Sequence, residues 1–310
     1  YITRDNWSHI RGVKRHALSL SMQTGRGCIG KCMFCTGEKQ AFRKYPASYV
    51  ISHIRHVQDK YGIGAVRFKE ALTLGDRKWL EEFCNLLLNE KIKIRYECIG
   101  RVDTVDSDVI KLLKESGCCQ IQLGIESAND DILARTAQGK STAEQARKAA
   151  LLCLKNNIAA KSGFMIGLPG ETVRSLNKTL RLLWDTKIEE TGVTYPVPFP
   201  GTRLFGMAMK RFKIAKDDLF SDSSIMVYDE GPHDKIIERY NFTDIKPVIL
   251  KLYRFLFTEM FFVNRLRKQK RYLRVFFEIL LIAQLRLLKR AFEGEFKSNR
   301  EGAGYASAAA

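Results

Sequence analysis

Cys28, Cys32 and Cys35 fall within eight residues of one another in the segment Gly25-Arg-Gly-Cys-Ile-Gly-Lys-Cys-Met-Phe-Cys-Thr36. Interleaved glycines let the backbone turn tightly enough for three sulfurs to converge on one centre. Three thiolates suit a cubane iron-sulfur cluster, which binds one iron per cysteine and leaves a fourth iron open to an exogenous ligand. A closed structural zinc site needs four ligands, and the nearest histidines, His16 and His53, lie outside the loop. On the residues alone, a structural metal and three inert buried thiols remain open as blander readings.

A reactive loop of this kind needs a scaffold. From residue 18 to about 200 the chain alternates short β-rich runs, at 18–22, 65–69, 92–99, 120–125, 161–166 and 192–197, with stretches of helical periodicity. One such stretch carries Val50, Ile51, Ile54, Val57 and Tyr61 on a single face, and another carries Trp79, Leu80, Phe83 and Leu87. Gly62 reads as a helix stop and Ser141 with Glu144 as a capping box. Six units of about 30 residues match βαβ crossovers. The expected fold class is α/β, a partial (βα)6 TIM-like barrel with a C-terminal α-helical region and with its chemistry on the loops after the strands. The expected organisation is a linker over 1–17 to an upstream domain, the barrel over 18–205, a helical region over 206–298 and a disordered tail over 299–310. Within the third part, 206–240 reads as irregular and 244–288 as long helices.

The Cys-x3-Cys-x2-Cys spacing, with Phe34 before the last cysteine, resembles the signature loop of radical S-adenosylmethionine (SAM) enzymes, and the resemblance extends over roughly residues 18–205. It implies that Cys28, Cys32 and Cys35 ligate a 4Fe-4S cluster whose open iron chelates the methionine moiety of SAM, and that reductive cleavage yields a 5′-deoxyadenosyl radical. Ala65-Val-Arg-Phe-Lys-Glu-Ala71 resembles the family's second-strand segment and implies that Glu70 meets the methionine amine; Ala71 stands where relatives often place a second acid. Gly100-Arg-Val-Asp103 and Gly124-Ile-Glu-Ser127 end the third and fourth strands, implying Arg101 and Glu126 as partners of the methionine carboxylate and the ribose hydroxyls. The bland reading of those two is an Arg101–Glu126 ion pair tying neighbouring strands. Phe164-Met-Ile-Gly-Leu-Pro-Gly-Glu-Thr172 resembles the adenine-contacting strand and implies Ile166 and Gly167 as its neighbours, while Pro198-Phe-Pro-Gly-Thr202 would face substrate.

Loop wording is most similar to the cobalamin-binding subgroup, which includes methyltransferases and an anaerobic ring cyclase of chlorophyll synthesis. Only 27 residues precede Cys28, too few for a Rossmann-like cobalamin domain, so cobalamin is expected only through a domain absent from this chain. The resemblance also implies an electron donor such as flavodoxin or ferredoxin, and a small-molecule or lipid-like substrate undergoing methylation, C–H functionalisation or cyclisation. The other cysteines, Cys84, Cys98, Cys118, Cys119 and Cys153, read as buried small hydrophobes.

Composition bounds the rest. The 310 residues carry a net charge of +18, and 8 cysteines are too sparse for a disulfide-stapled secreted module. The longest apolar run, 275–288, is broken by Glu278, Gln284 and Arg286. The expected location is cytoplasmic or peripheral to a membrane. Residues 251–300 hold 13 Lys and Arg against 4 Asp and Glu, which would suit an anionic membrane face or a solvated helical surface. RNA, as in methylthiotransferases, is the weaker partner because the C-terminal region reads as helix rather than as a small β-barrel. From a different class, a non-catalytic metal-bearing adaptor for nucleic acid or membrane would share the same charge.

Overall fold

The structure is a computed structural model that describes residues 2–4, 18–137, 141–213 and 233–268. Two compact units divide the chain, Tyr1–Phe261 and Phe262–Ala310. In the first, strands β1 (Ile2–Arg4), β2 (Leu18–Met22), β5 (Ala65–Phe68), β6 (Arg95–Arg101), β7 (Cys118–Glu126), β8 (Ala159–Met165) and β9 (Glu189–Thr194) pair in that order. β1 is antiparallel to β2, and every later pair is parallel. Six parallel strands in sequential order, curled and open between β2 and β9, make the expected half-barrel. Two further short strands, β3 (Gly25–Arg26) and β4 (Arg43–Lys44), form a separate hairpin around the cysteine loop.

The crossover helices bury the faces their periodicity marked out. α1 (Ala47–Tyr61) buries Val50, Ile51, Ile54 and Val57 and ends on Gly62. Tyr61, expected on that face, is exposed, because it sits in the last turn beyond the reach of the sheet. α2 (Arg77–Asn89) buries Trp79, Leu80, Phe83, Cys84 and Leu87 behind an Asp76 cap. Trp79 and Phe83 stack at 5.2 Å, and Phe83 meets Phe68 and Tyr96 edge-on. Such aromatic pairs add roughly 1 kcal/mol each beyond the burial of their area. α3 (Ser107–Glu115), α4 (Asp130–Thr136), α5 (Ala143–Lys155) and α6 (Val173–Thr186) complete the layer.

Several boundaries move, each for a local reason. The capping box before α5 is Thr142 with Gln145, one residue after the Ser141 and Glu144 expected, because the Thr142 hydroxyl reaches the Gln145 amide while the Gln145 side chain returns the bond. β9 stops at Thr194 rather than 197, since Pro196 and Pro198 have no N–H to give to a ladder. Two helices occupy the stretch expected to be irregular: α7 (Arg203–Phe212), capped by Thr202, and α8 (His233–Arg239). α7 is held by burying Leu204 and Ala208 beside Met33, Tyr240 and Phe242, a satellite core that sequence polarity conceals.

α9 (Pro247–Lys268) is helical as expected, and of the second unit only its final turns, from Phe262, are described. The apolar run 275–288, the tail 299–310 and most of the linker expected over 1–17 lie outside the described residues; within that linker Ile2–Arg4 is not a free connection but pairs with β2 as β1. No described helix is long and apolar enough to cross a membrane.

Candidate active site

All the acidic and basic candidates sit at the C-terminal edge of the parallel strands, where a barrel of this kind gathers its chemistry. The cysteine loop leaves β2 at that edge and is pinned over it from both sides. The Met33 amide donates to the Thr136 carbonyl of α4 (2.8 Å), and the Leu204 amide of α7 donates to Met33 (2.9 Å). The Arg203 guanidinium reaches the Lys31 carbonyl at 2.6 Å. Gly27, at φ +75°, carries the turn into the loop, and a side chain there would run into the Gln40 and Ala41 carbonyls.

Cys28, Cys32 and Cys35 form no disulfide and are all partly exposed. A Cβ placed on Gly30 would lie 3.3 Å from the Cys28 sulfur, 3.8 Å from the Cys32 sulfur and 2.8 Å from Nη1 of Arg101. The Gly30 amide donates to Cys28 (3.2 Å) and the Gly37 amide to Cys35 (3.3 Å); N–H···S bonds of this kind stabilise thiolate and tune iron-sulfur centres. Burial pushes the Cys32 thiol up to about 12, helped by Glu126 and Cys35 and opposed by Arg101, so a metal taken up there must displace a proton. Among the described residues no group of three His, Cys, Asp or Glu side chains is placed to hold a single metal ion, whereas a cubane takes one thiolate per iron. Three soft donors, amide bonds to two of them and a cation beside them therefore fit a cluster.

Arg101 ends β6, and Nε and Nη2 grip Asp103 at 2.8 and 2.9 Å. The alternative ion pair with Glu126 does not form. Glu126 ends β7 at a bulge, where pairing with β8 slips between Gly124 and Glu126, and its φ is +61°. That left-handed backbone costs on the order of 1 kcal/mol for a residue with a Cβ, and bulges at strand ends commonly re-aim a side chain. Burial raises its carboxyl to about 7.

Glu70 is placed differently from a free amine acceptor. Its Oε2 accepts from the Thr24 amide (3.0 Å), and its Oε1 from the Thr24 hydroxyl (2.5 Å) and Lys44 Nζ (3.3 Å). Lys44 also lies over the Trp79 ring, 4.4 Å from its centroid. Together with Gln23, Gln40 and Ala71, Glu70 lines a cavity of about 320 Å³ beside the loop. A carboxylate offers about four acceptor positions, so three are already used. Phe34 packs against the satellite core with Met33 and Leu204.

The backbone N–H groups of Ile166 and Gly167 at the fifth-strand turn are given to partners within the protein. Ile166 is fully buried and its amide donates to Thr194. Gly167 donates to the Glu171 carboxylate at 2.6 Å and faces Ile237 and Pro196. The five remaining cysteines are buried as expected, with the Cys98 and Cys118 sulfurs 3.8 Å apart. Sequence reasoning does not find Thr24, Lys44, Asp103 and Gly30 as partners. Asp103 stands two residues after Arg101 in the motif that ends β6, whereas nothing in the sequence singles out Lys44.

Glu171 gives a pH prediction. Burial raises its carboxyl from 4.5 to about 7 against the pull of the Gly167 and Leu168 amides. The folded chain thus holds a proton that the unfolded chain has lost, and between those two values stability falls as pH rises. Urea unfolding of Glu171→Gln is expected to show a shallower fall over that range than the native chain; parallel curves would rule the effect out.

Comparison with known proteins agrees with the fold. The family described as the Radical SAM superfamily matches residues 22–183. An uncharacterized methyltransferase of Pyrococcus horikoshii is 29% identical over 191 residues, covering 61% of this chain and 41% of the relative. The anaerobic magnesium-protoporphyrin IX monomethyl ester cyclase of Cereibacter sphaeroides is 27% identical over 187 residues, 58% of this chain and 30% of the relative. The chain thus spans less than half the length of these curated relatives. Among solved structures, the radical S-adenosylmethionine methyltransferase TsrM from Kitasatospora setae, with cobalamin and a 4Fe-4S cluster bound, superimposes with a TM-score of 0.56 at 15% identity, covering 64% of this chain and 40% of that one. At that identity the likeness is one of fold.

Proposed function

The chain belongs to the radical SAM superfamily, and from that premise we propose that Cys28, Cys32 and Cys35 hold a 4Fe-4S cluster used to methylate, functionalise or cyclise a small-molecule or lipid-like substrate. When bound and reduced, such a cluster supplies the electron that cleaves SAM to a 5′-deoxyadenosyl radical. The observation that carries the reading is the gathering of the Cys28 and Cys32 sulfurs and the Arg101 guanidinium around Gly30, at the C-terminal edge of six parallel strands.

The roles of the chain's own residues follow from their chemistry. Gly30 and Gly37 amides hold two sulfurs as acceptors. Arg101 and Glu126 take the methionine carboxylate and ribose hydroxyls through charge-assisted bonds. Glu70, with one acceptor position left, takes the methionine amine, and Lys44 and Thr24 fix its plane. Phe34 and the backbone at Ile166 and Gly167 border the adenosine. A flavodoxin or ferredoxin in the cytoplasm supplies the electron. Cobalamin, present in TsrM, would come to this chemistry through a further domain. The basic composition of residues 251–300 suits peripheral contact with an anionic membrane. Methylthio transfer to RNA is less favoured, because Pro247–Lys268 is helix where a small β-barrel would be expected.

Anaerobic reconstitution with iron and sulfide tests the reading. A brown protein with broad absorbance at roughly 400 nm that forms 5′-deoxyadenosine from SAM and dithionite is expected. A colourless protein that binds zinc instead would support the adaptor.

A further inference from the structure

Beside the role proposed for it with the methionine carboxylate, Arg101 is held as a fixed charge by its own chain. Its Nε and Nη2 are committed to the Asp103 carboxylate at 2.8 and 2.9 Å. The remaining nitrogen, Nη1, points the other way, over the backbone of Gly30, and comes within 2.8 Å of where a Cβ on that residue would stand. That same point lies 3.3 Å from the Cys28 sulfur and 3.8 Å from the Cys32 sulfur. The Asp103–Arg101 pair is therefore an oriented dipole with its positive end against the cysteine loop and its carboxylate on the far side. Arg101 is 9% exposed, so solvent and salt screen its field weakly. A Cβ at position 30 would require the guanidinium end to shift.

We propose that Arg101, aimed by Asp103 and admitted by Gly30, is a positioning residue that sets the reduction potential of the cluster held by the cysteine loop. The inference rests on the cluster assignment above. One-electron reduction adds negative charge to the cluster, and a cation held against its thiolates stabilises the reduced state and raises the potential. The chain thereby makes a strongly reducing centre accessible to its electron donor before any cofactor binds.

The test is an EPR-monitored redox titration of the reconstituted protein without SAM, at equal iron loading. Arg101→Gln is expected to shift the midpoint to more negative potential, and Arg101→Lys to shift it less, because charge is kept while the fork to Asp103 is lost. Gly30→Ala keeps every charge but pushes Nη1 away, so it too should move the midpoint down. Its effect should vanish when added to Arg101→Gln, as expected of two changes acting through one contact. A midpoint in Arg101→Gln equal to that of the native chain overturns the inference. If that variant fails to load iron, an unchanged midpoint in Gly30→Ala overturns it equally. Failure of the native chain itself to take up a cluster would instead overturn the cluster assignment.

Discussion

Cys32→Ala is expected to reconstitute with iron and sulfide close to background and to form no 5′-deoxyadenosine above the level without protein. Three irons of a cubane each need a thiolate, and the two remaining sulfurs leave one of them without protein ligation. The Cys32 carbonyl still accepts from the Cys35 amide at 3.1 Å, and the side chain is only partly buried, so the variant loses a ligand without losing its loop. Cys153→Ala is the matching control: it removes a fully buried thiol from α5, should cost about 1 kcal/mol of stability, and should load iron normally. Iron and sulfide analysis with the visible spectrum decides the matter. Full loading of Cys32→Ala, or equal loss in both variants, would remove the cluster assignment.

Lys44→Met is expected to be the most damaging single change outside the hydrophobic core. Lys44 and Glu70 are an ion pair whose side chains are 5% and 2% exposed. Methionine keeps most of the stem lying over Trp79 but removes the ammonium. Glu70 is then left buried with only Thr24 as partner, and breaking a buried pair on one side costs about 3–5 kcal/mol. The double variant Lys44→Met with Glu70→Gln should recover part of that loss, since no unpaired charge remains, while still binding SAM poorly if Glu70 meets the methionine amine. Urea midpoints and equilibrium SAM binding separate the two effects. A Lys44→Met chain as stable as the native one would show that the pair does not hold the hairpin β3–β4 to β5.

Much of this was legible in the chain because its signals are local. The cysteine spacing is set within one loop. Apolar faces at Val50, Ile54 and Val57, or at Trp79, Phe83 and Leu87, follow from helical geometry alone. The ends of the strands, where Arg101, Glu126 and Ile166 stand, follow from six repeats of one βα period. Element boundaries shift where short-range chemistry competes: Thr142 rather than Ser141 caps α5, and prolines end β9 early.

Residue types and their order along the strands thus decided the family, the half-barrel and the edge on which its chemistry lies. Which side chains face one another across that edge was decided only by the folded sheet. Lys44 meets Glu70 from a hairpin 26 residues away. Arg101 turns to Asp103 and the cysteine loop instead of to Glu126, because a bulge at Gly124 and a left-handed Glu126 re-aim the neighbouring strand end. Those partnerships depend on strand register and on curvature that brings loops from separate βα units together, and neither leaves a periodic trace in the sequence.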